Sequence, residues 1–154
     1  RHSPPPETTL DPVSDPCRFL PHGPAMHYVT RFVEHDETRC ACLARFPESN
    51  SFATGGSVPS YLTVEAIAQT AAAHEGWSRS QRHEMGEPRI GYLVAARDLE
   101  FADRRIPTGR SFMTQVERVR QIGPLAEYDV RATASDGAIL AQGVFKTFVT
   151  EPGS

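Results

Sequence analysis

The chain has no surplus of basic residues, no long apolar run and very few cysteines. Its 16 Lys and Arg are outnumbered by 19 Asp and Glu, giving a net charge of −3. Nucleic-acid binding favours a strongly basic face, so this balance argues against it. A membrane-crossing helix needs roughly eighteen consecutive apolar residues, and no such run occurs. No apolar stretch follows the first residues either, so no secretory leader is expected. The three cysteines are Cys17, Cys40 and Cys42. Two alternate on one strand and no second pair exists, so neither a zinc site nor any other metal site is expected. Buried free thiols in a reducing cytoplasm are the simpler reading.

What is abundant is proline, and it is unevenly placed. Seven of the 13 prolines fall within the first 24 residues. The opening RHSPPPETTLDPVSDP suits neither a helix nor a central strand. Residues 1–17 therefore read as an arm that is mobile or draped on the surface. Residues 18–150 read as a single domain, long enough for one sheet with a helix against it.

Hydrophobic spacing divides that domain. Met26 to Val33 and Thr38 to Phe46 read as strands joined by a turn at 35–37, with Cys40, Cys42 and Ala44 on one face. Residues 47–57 read as a loop. A helix is expected over 59–74, with Pro59 in its first turn and Gly76 as its stop, and Trp77 to Pro88 reads as helical at first and then loop. Four strands follow, over 90–101, 111–122, 127–135 and 139–149. The first is apolar enough to suggest burial on both faces. The third alternates cleanly, with Tyr128, Val130, Ala132 and Ala134 inward. RRIPTG (104–109) and Ser135-Asp136-Gly137 read as turns. The plan is α+β, a curved antiparallel sheet wrapped around one long central helix.

Within that helix, Val58 to Gly76 carries one carboxylate, Glu65, among small and apolar residues. Its helical neighbours are Tyr61, Leu62, Ala68 and Gln69. Desolvation there would raise its pKa and suit it to proton transfer. A paired structural glutamate is the alternative.

Several motifs in this order resemble the hotdog-fold β-hydroxyacyl-ACP dehydratases. They are FLPHGPAM (19–26), VPSYLTVEAIAQTAA (58–72), GYLVAARDLEF (91–101), IPTG (106–109) and DGAILAQGVFKTFV (136–149). The nearest subgroup is the dehydratase-like thioester dehydrases of aryl polyene and polyketide clusters. The resemblance implies a hotdog fold and dehydration of a 3-hydroxyacyl thioester on an acyl carrier protein, or on CoA. It implies no bound cofactor beyond the carrier's phosphopantetheine. It also implies a homodimer, or a heterodimer with another hotdog protein.

In the fatty-acid enzymes a histidine precedes the helix in a Gly-His-Phe-Pro-Gly loop. This chain has SFATGGSVP (51–59) there instead. Glu65 is retained, with Gln69 one turn later. Of the six histidines, His22 is the best replacement base, because it sits between Pro21 and Pro24 and the family's matching segment runs near the active-site tunnel. A structural hydrogen-bonding role for it is the alternative. His74 lies nine positions from Glu65, about 900° of helical rotation, and so faces the other way. His27 reads as half-buried on the first strand.

The catalytic candidates are thus His22 and Glu65. The substrate-binding candidates are Gly55, Gly56, Ser60, Tyr61, Gln69, Tyr92 and Leu93. Ordinary core packing would also explain Tyr61, Tyr92 and Leu93, and a plain flexible loop the two glycines. Arg104, Arg105 and Arg110 would suit an acidic carrier or its phosphate, or form a solvated turn. A thioesterase on the same fold, or a non-catalytic acyl-binding subunit of an active dehydratase, are the competing functions.

Overall fold

The computed structural model describes residues 15–20, 27–81 and 91–149. Among these residues, eight strands and one long helix follow a short 3-10 turn at Pro16–Phe19. The strands are β1 (Val29–His35), β2 (Arg39–Ala44), β3 (Ser57–Pro59), β4 (Gly91–Phe101), β5 (Arg105–Pro107), β6 (Phe112–Ile122), β7 (Leu125–Thr133) and β8 (Ile139–Val149). Helix α1 spans Thr63–Gln81 and is entered through a 3-10 turn at Ser60–Leu62. Six strands form one antiparallel sheet in the order β1-β2-β6-β7-β8-β4, and β3 pairs with β5 in a separate ribbon. The single helix packed on a curved antiparallel sheet is the hotdog architecture.

The helix lies on the sheet because its inward side is small and apolar. Ala66, Ile67 and Ala73 are fully buried, as are Tyr128, Ala132 and Phe145 on the sheet. Burying such side chains supplies about 1.5–3 kcal/mol for each large one. Two polar links then fix the helix against sliding. Thr70 Oγ1 lies 2.6 Å from Thr114 Oγ1 on β6, inside the core. The side-chain oxygen of Gln69 accepts from the backbone amides of Tyr28, at 2.8 Å, and Val29, at 3.3 Å. Buried polar groups of this kind are costly to leave unpaired, so they select one register.

Three expectations need correction. The helix does not stop at Gly76 but runs on to Gln81. Gly76 is there because Phe19 of the first 3-10 turn rests on it; a Cβ at 76 would lie 2.6 Å from the Phe19 Cβ. Pro59 ends β3 and precedes the 3-10 turn, rather than lying inside the α-helix. Most importantly, β4 is an edge strand, and positions 93–98 are exposed rather than buried. Among the described residues, no layer covers positions 93–98.

Two short features escaped the periodicity. The β3–β5 ribbon is only three residues long on each side, too short to show a period of two. Residues 15–17, at the end of the expected arm, enter the first 3-10 turn. Asp15 caps that turn by accepting from the Cys17 amide at 2.9 Å, and the Cys17 thiol donates to the Val29 carbonyl at 3.1 Å. Burial, with Asp15 beside it, pushes that thiol up to about 11.

Candidate active site

The start of α1 is built by hydroxyl groups. Ser60 Oγ donates to the Ala102 carbonyl at 2.8 Å, tying the helix entry to the end of β4. Thr63 Oγ1 donates to the Ser60 carbonyl at 2.7 Å. Glu65 follows within the first turn. Partial positive charge from the unpaired helix amides favours a carboxylate there.

The expectation of a desolvated Glu65 is corrected: in the single chain Glu65 is exposed. The cause is the orientation set by the buried side. Ala66, Ile67, Gln69, Thr70, Ala73 and His74 turn inward, which leaves Glu65 outward. Tyr61, one turn earlier, is 55% exposed and shares that bare end of the helix. Gln69 does not join them. It is 5% exposed, with its side-chain oxygen spent on β1.

The other candidates fall on separate elements. Gly55 and Gly56 have φ values of 59° and 76°. They form the two central residues of a tight turn closed by Thr54 and Ser57, whose backbones exchange hydrogen bonds at 2.8 and 3.3 Å. Positive φ at both positions is what such a turn requires, so these glycines have a conformational reason to be there. Gly56 O also accepts from the Thr108 amide at 3.0 Å. Leu93 is 40% exposed on β4, and the backbone of Tyr92 pairs with Phe148 on the same strand. Ser60, though at the helix entry, is buried. His22 lies outside the described residues.

Among the arginines, Arg105 donates to Ser57 Oγ at 2.7 Å and to its carbonyl at 2.9 Å. Arg104 reaches Asp136 at 3.4 Å. Arg104 and Arg110 flank a hollow of about 70 Å³ floored by Ile106, Phe112 and Leu140.

The histidines sort as follows. His27 is half-buried. His35 packs against Trp77 with ring centroids 4.3 Å apart. His74 is fully buried on the side of α1 opposite Glu65, and its Nε2 lies 2.7 Å from the Asp36 carbonyl. That partner accepts, so Nε2 carries the proton, and Nδ1 has no hydrogen bond among the described residues. Burial holds the His74 pKa below its ordinary value of 6.5, against the opposing pull of the Asp36 bond. A lowered folded value means that the unfolded chain takes the proton first as pH falls. The stability His74 contributes is therefore complete above about 6.5 and declines below it, towards the folded value. The thermal midpoint is expected to fall between pH 7.5 and pH 5.5 more steeply in the natural protein than in His74→Gln.

Sequence reasoning missed two residues around the helix entry. Asn50 joins the loop to Tyr28, its Nδ2 donating to the Tyr28 hydroxyl at 3.0 Å. Phe52 is 54% exposed on that same loop. The available signal was an asparagine two residues before an aromatic in a turn-forming stretch, a common setting for a side chain that closes on its own backbone.

Known proteins of the same shape bear on this arrangement. No curated protein matches the sequence. Among solved structures, the dehydratase heterocomplex ApeI:P from Xenorhabdus doucetiae superposes with a TM-score of 0.79 at 19% identity, over 90% of this chain and 92% of that one. A hypothetical thioesterase with coenzyme A from Streptococcus pneumoniae gives 0.58 at 14% identity, over 80% and 87%. The PaaI protein of the E. coli phenylacetic acid degradation operon gives 0.57 at 13% identity, over 76% and 80%. These likenesses show a fold shared by dehydratases and thioesterases. The pattern of the ApeP-like group, described as ApeP dehydratase, narrows the choice, for it matches residues 14–153, the Glu65 helix and the whole sheet included. The chain therefore belongs to the ApeP-like dehydratase family.

Proposed function

We propose that the chain dehydrates a 3-hydroxyacyl thioester carried on the phosphopantetheine of an acyl carrier protein, yielding the 2-enoyl thioester for fatty-acid or polyketide-type synthesis. Family membership supports the dehydratase class. The observation that carries the finer reading is Glu65, held in the first turn of α1 and left bare by its own chain.

The reaction removes a proton from the α-carbon and a hydroxyl from the β-carbon. The electron pair from the C–H bond moves towards the thioester carbonyl and then forms the double bond as the C–O bond breaks. A base must take the first proton, and an acid must deliver one to the departing hydroxyl as water. His22 is assigned as base and Glu65 as acid; the reverse pairing uses the same two groups. The helix entry supplies partial positive charge for the carbonyl oxygen.

An acid role asks for a carboxyl group withdrawn from water, and one chain alone does not withdraw it. A second hotdog subunit laid over the helix face and against the open edge of β4 would. The unpaired edge and the exposed Leu93 and Val94 support that pairing. The ApeI:P structure is a heterocomplex of dehydratases. The histidine-free loop at 51–59 favours a mixed pair, in which a second hotdog subunit completes the site around Glu65. Tyr61 and Leu93 would then line the acyl channel, and Arg104 and Arg110 would meet the carrier.

The test is incubation with a 3-hydroxyacyl carrier protein, with the chain alone and mixed with a second dehydratase-type hotdog protein. Loss of one water by mass is expected. No enoyl product in either direction at high enzyme would overturn the reading. Free thiol released without dehydration would select a thioesterase. A light-scattering mass equal to one chain would remove the dimer.

A further inference from the structure

The hydrogen bonds around Tyr28 join three elements that the core alone would not hold in one geometry. They begin on α1 at Gln69, one turn after Glu65. Its side-chain oxygen accepts from the Tyr28 amide at 2.8 Å and the Val29 amide at 3.3 Å. The Tyr28 ring then crosses the core edge-on to Phe46, with centroids 4.9 Å apart. Its hydroxyl, at a partly buried position, accepts from Asn50 Nδ2 at 3.0 Å. Asn50 Oδ1 in turn accepts from the Phe52 amide at 2.8 Å, and the Asn50 carbonyl accepts from Ala53 at 3.0 Å. One side chain thus spends both its donor and its acceptor on shaping a surface loop. That loop leads through the Gly55-Gly56 turn into β3 and the helix entry.

We propose that Tyr28 and Asn50 are positioning residues, fixing the 50–57 loop relative to Glu65 for turnover. This rests on the dehydratase reading above. The chemistry of the parts supports it. Water can replace the exposed Asn50–Phe52 bond, and the partly buried Tyr28–Asn50 bond is worth no more than about 1 kcal/mol to the fold. What the bond supplies is geometry. The loop that carries a histidine in the fatty-acid enzymes carries none here, and its path is set from behind by a tyrosine in the core. Displacement of a binding wall by about 1 Å costs as much as a hundredfold in rate.

The experiment uses the full chain, with its partner subunit if turnover needs one. Tyr28→Phe keeps the ring and removes only the hydroxyl. Asn50→Ala removes both loop bonds, whereas Asn50→Asp keeps an acceptor for the Phe52 amide and can accept a hydrogen bond from the Tyr28 hydroxyl. About a tenfold fall in kcat, with KM within about twofold, is expected for Tyr28→Phe and for Asn50→Ala. The double variant is expected to be no slower than Asn50→Ala, because the two act as one unit. Asn50→Asp should recover part of the loss. Turnover equal to the natural protein in both single variants, or losses that multiply, would overturn the proposal.

If the natural protein forms no enoyl product, it is the dehydratase reading that fails. The relay is then read from amide hydrogen exchange at Phe52. Faster exchange in Tyr28→Phe supports loop positioning, and equal exchange overturns it.

Discussion

Glu65→Gln is expected to lower dehydration by about 10²–10⁴-fold, the usual worth of a positioned general acid or base. The fold should be indifferent to the change. Glu65 is exposed, and its side chain has no hydrogen bond or ion pair among the described residues. Glutamine keeps the shape and a good helix propensity. The stabilising interaction at stake among the described residues is that of a negative charge with the first helical turn, about 0.3–1 kcal/mol before solvent screening. Catalysis and stability therefore separate here. A chemical role predicts a collapse in kcat with a thermal midpoint that hardly moves. A structural role predicts the opposite pair of results. Turnover surviving at a tenth or more of the natural rate would show that Glu65 moves no proton in the slow step.

The second large effect is expected at Gly143. On one side this residue pairs with Val130. On the other, β4 runs from Arg97, opposite Val144, to Glu100, opposite Gln142, so Asp98 and Leu99 together face one residue. That is a β-bulge, and Asp98 adopts φ 55° to make it. A Cβ on residue 143 would meet Leu99 Cδ2 at 2.6 Å, the Arg97 carbonyl oxygen at 3.1 Å and Leu99 Cα at 3.2 Å. The Leu99 methyl can swing away; the two backbone atoms cannot without opening the ladder. Gly143→Val gains β propensity, up to about 1 kcal/mol, but forces overpacking that costs up to about 3 kcal/mol. The net loss, read by urea or thermal denaturation, should come with faster amide exchange along β4. Equal or greater stability would mean that the bulge is not built around the missing side chain.

Much of this architecture was legible in the chain. The alternation at Tyr128, Val130 and Ala132 marked the inward face of β7, and all three are buried. The β8 boundaries, Ile139 and Val149, follow from the turn at Asp136-Gly137. The motifs around Glu65 pointed to the hotdog dehydratases, and the family match agrees. What remained illegible has physical causes. An apolar run such as Leu93–Ala96 reports that a strand will be covered, but not whether its own chain or another does the covering. The helix is small or apolar on most of its circumference, so pattern alone could not say which side meets the sheet. That choice is made by long-range pairs, Thr70 with Thr114 and Gln69 with Tyr28, separated by 44 and 41 residues. Gly76 looks like a helix stop until Phe19 is seen lying on it. Gly55-Gly56 reads as looseness, whereas its backbone angles make it a fixed bend.

The open flank of β4 has a consequence for how the protein behaves when it is made. A row of amides and carbonyls that no described strand pairs is adhesive towards any extended peptide, including misfolded copies of itself. Its leading half, Leu93–Ala96, offers no repulsion, while Arg97, Asp98 and Glu100 place charge on the trailing half. Synthesis in excess of whatever caps that flank should therefore favour precipitation, and balanced co-expression should keep the material in solution.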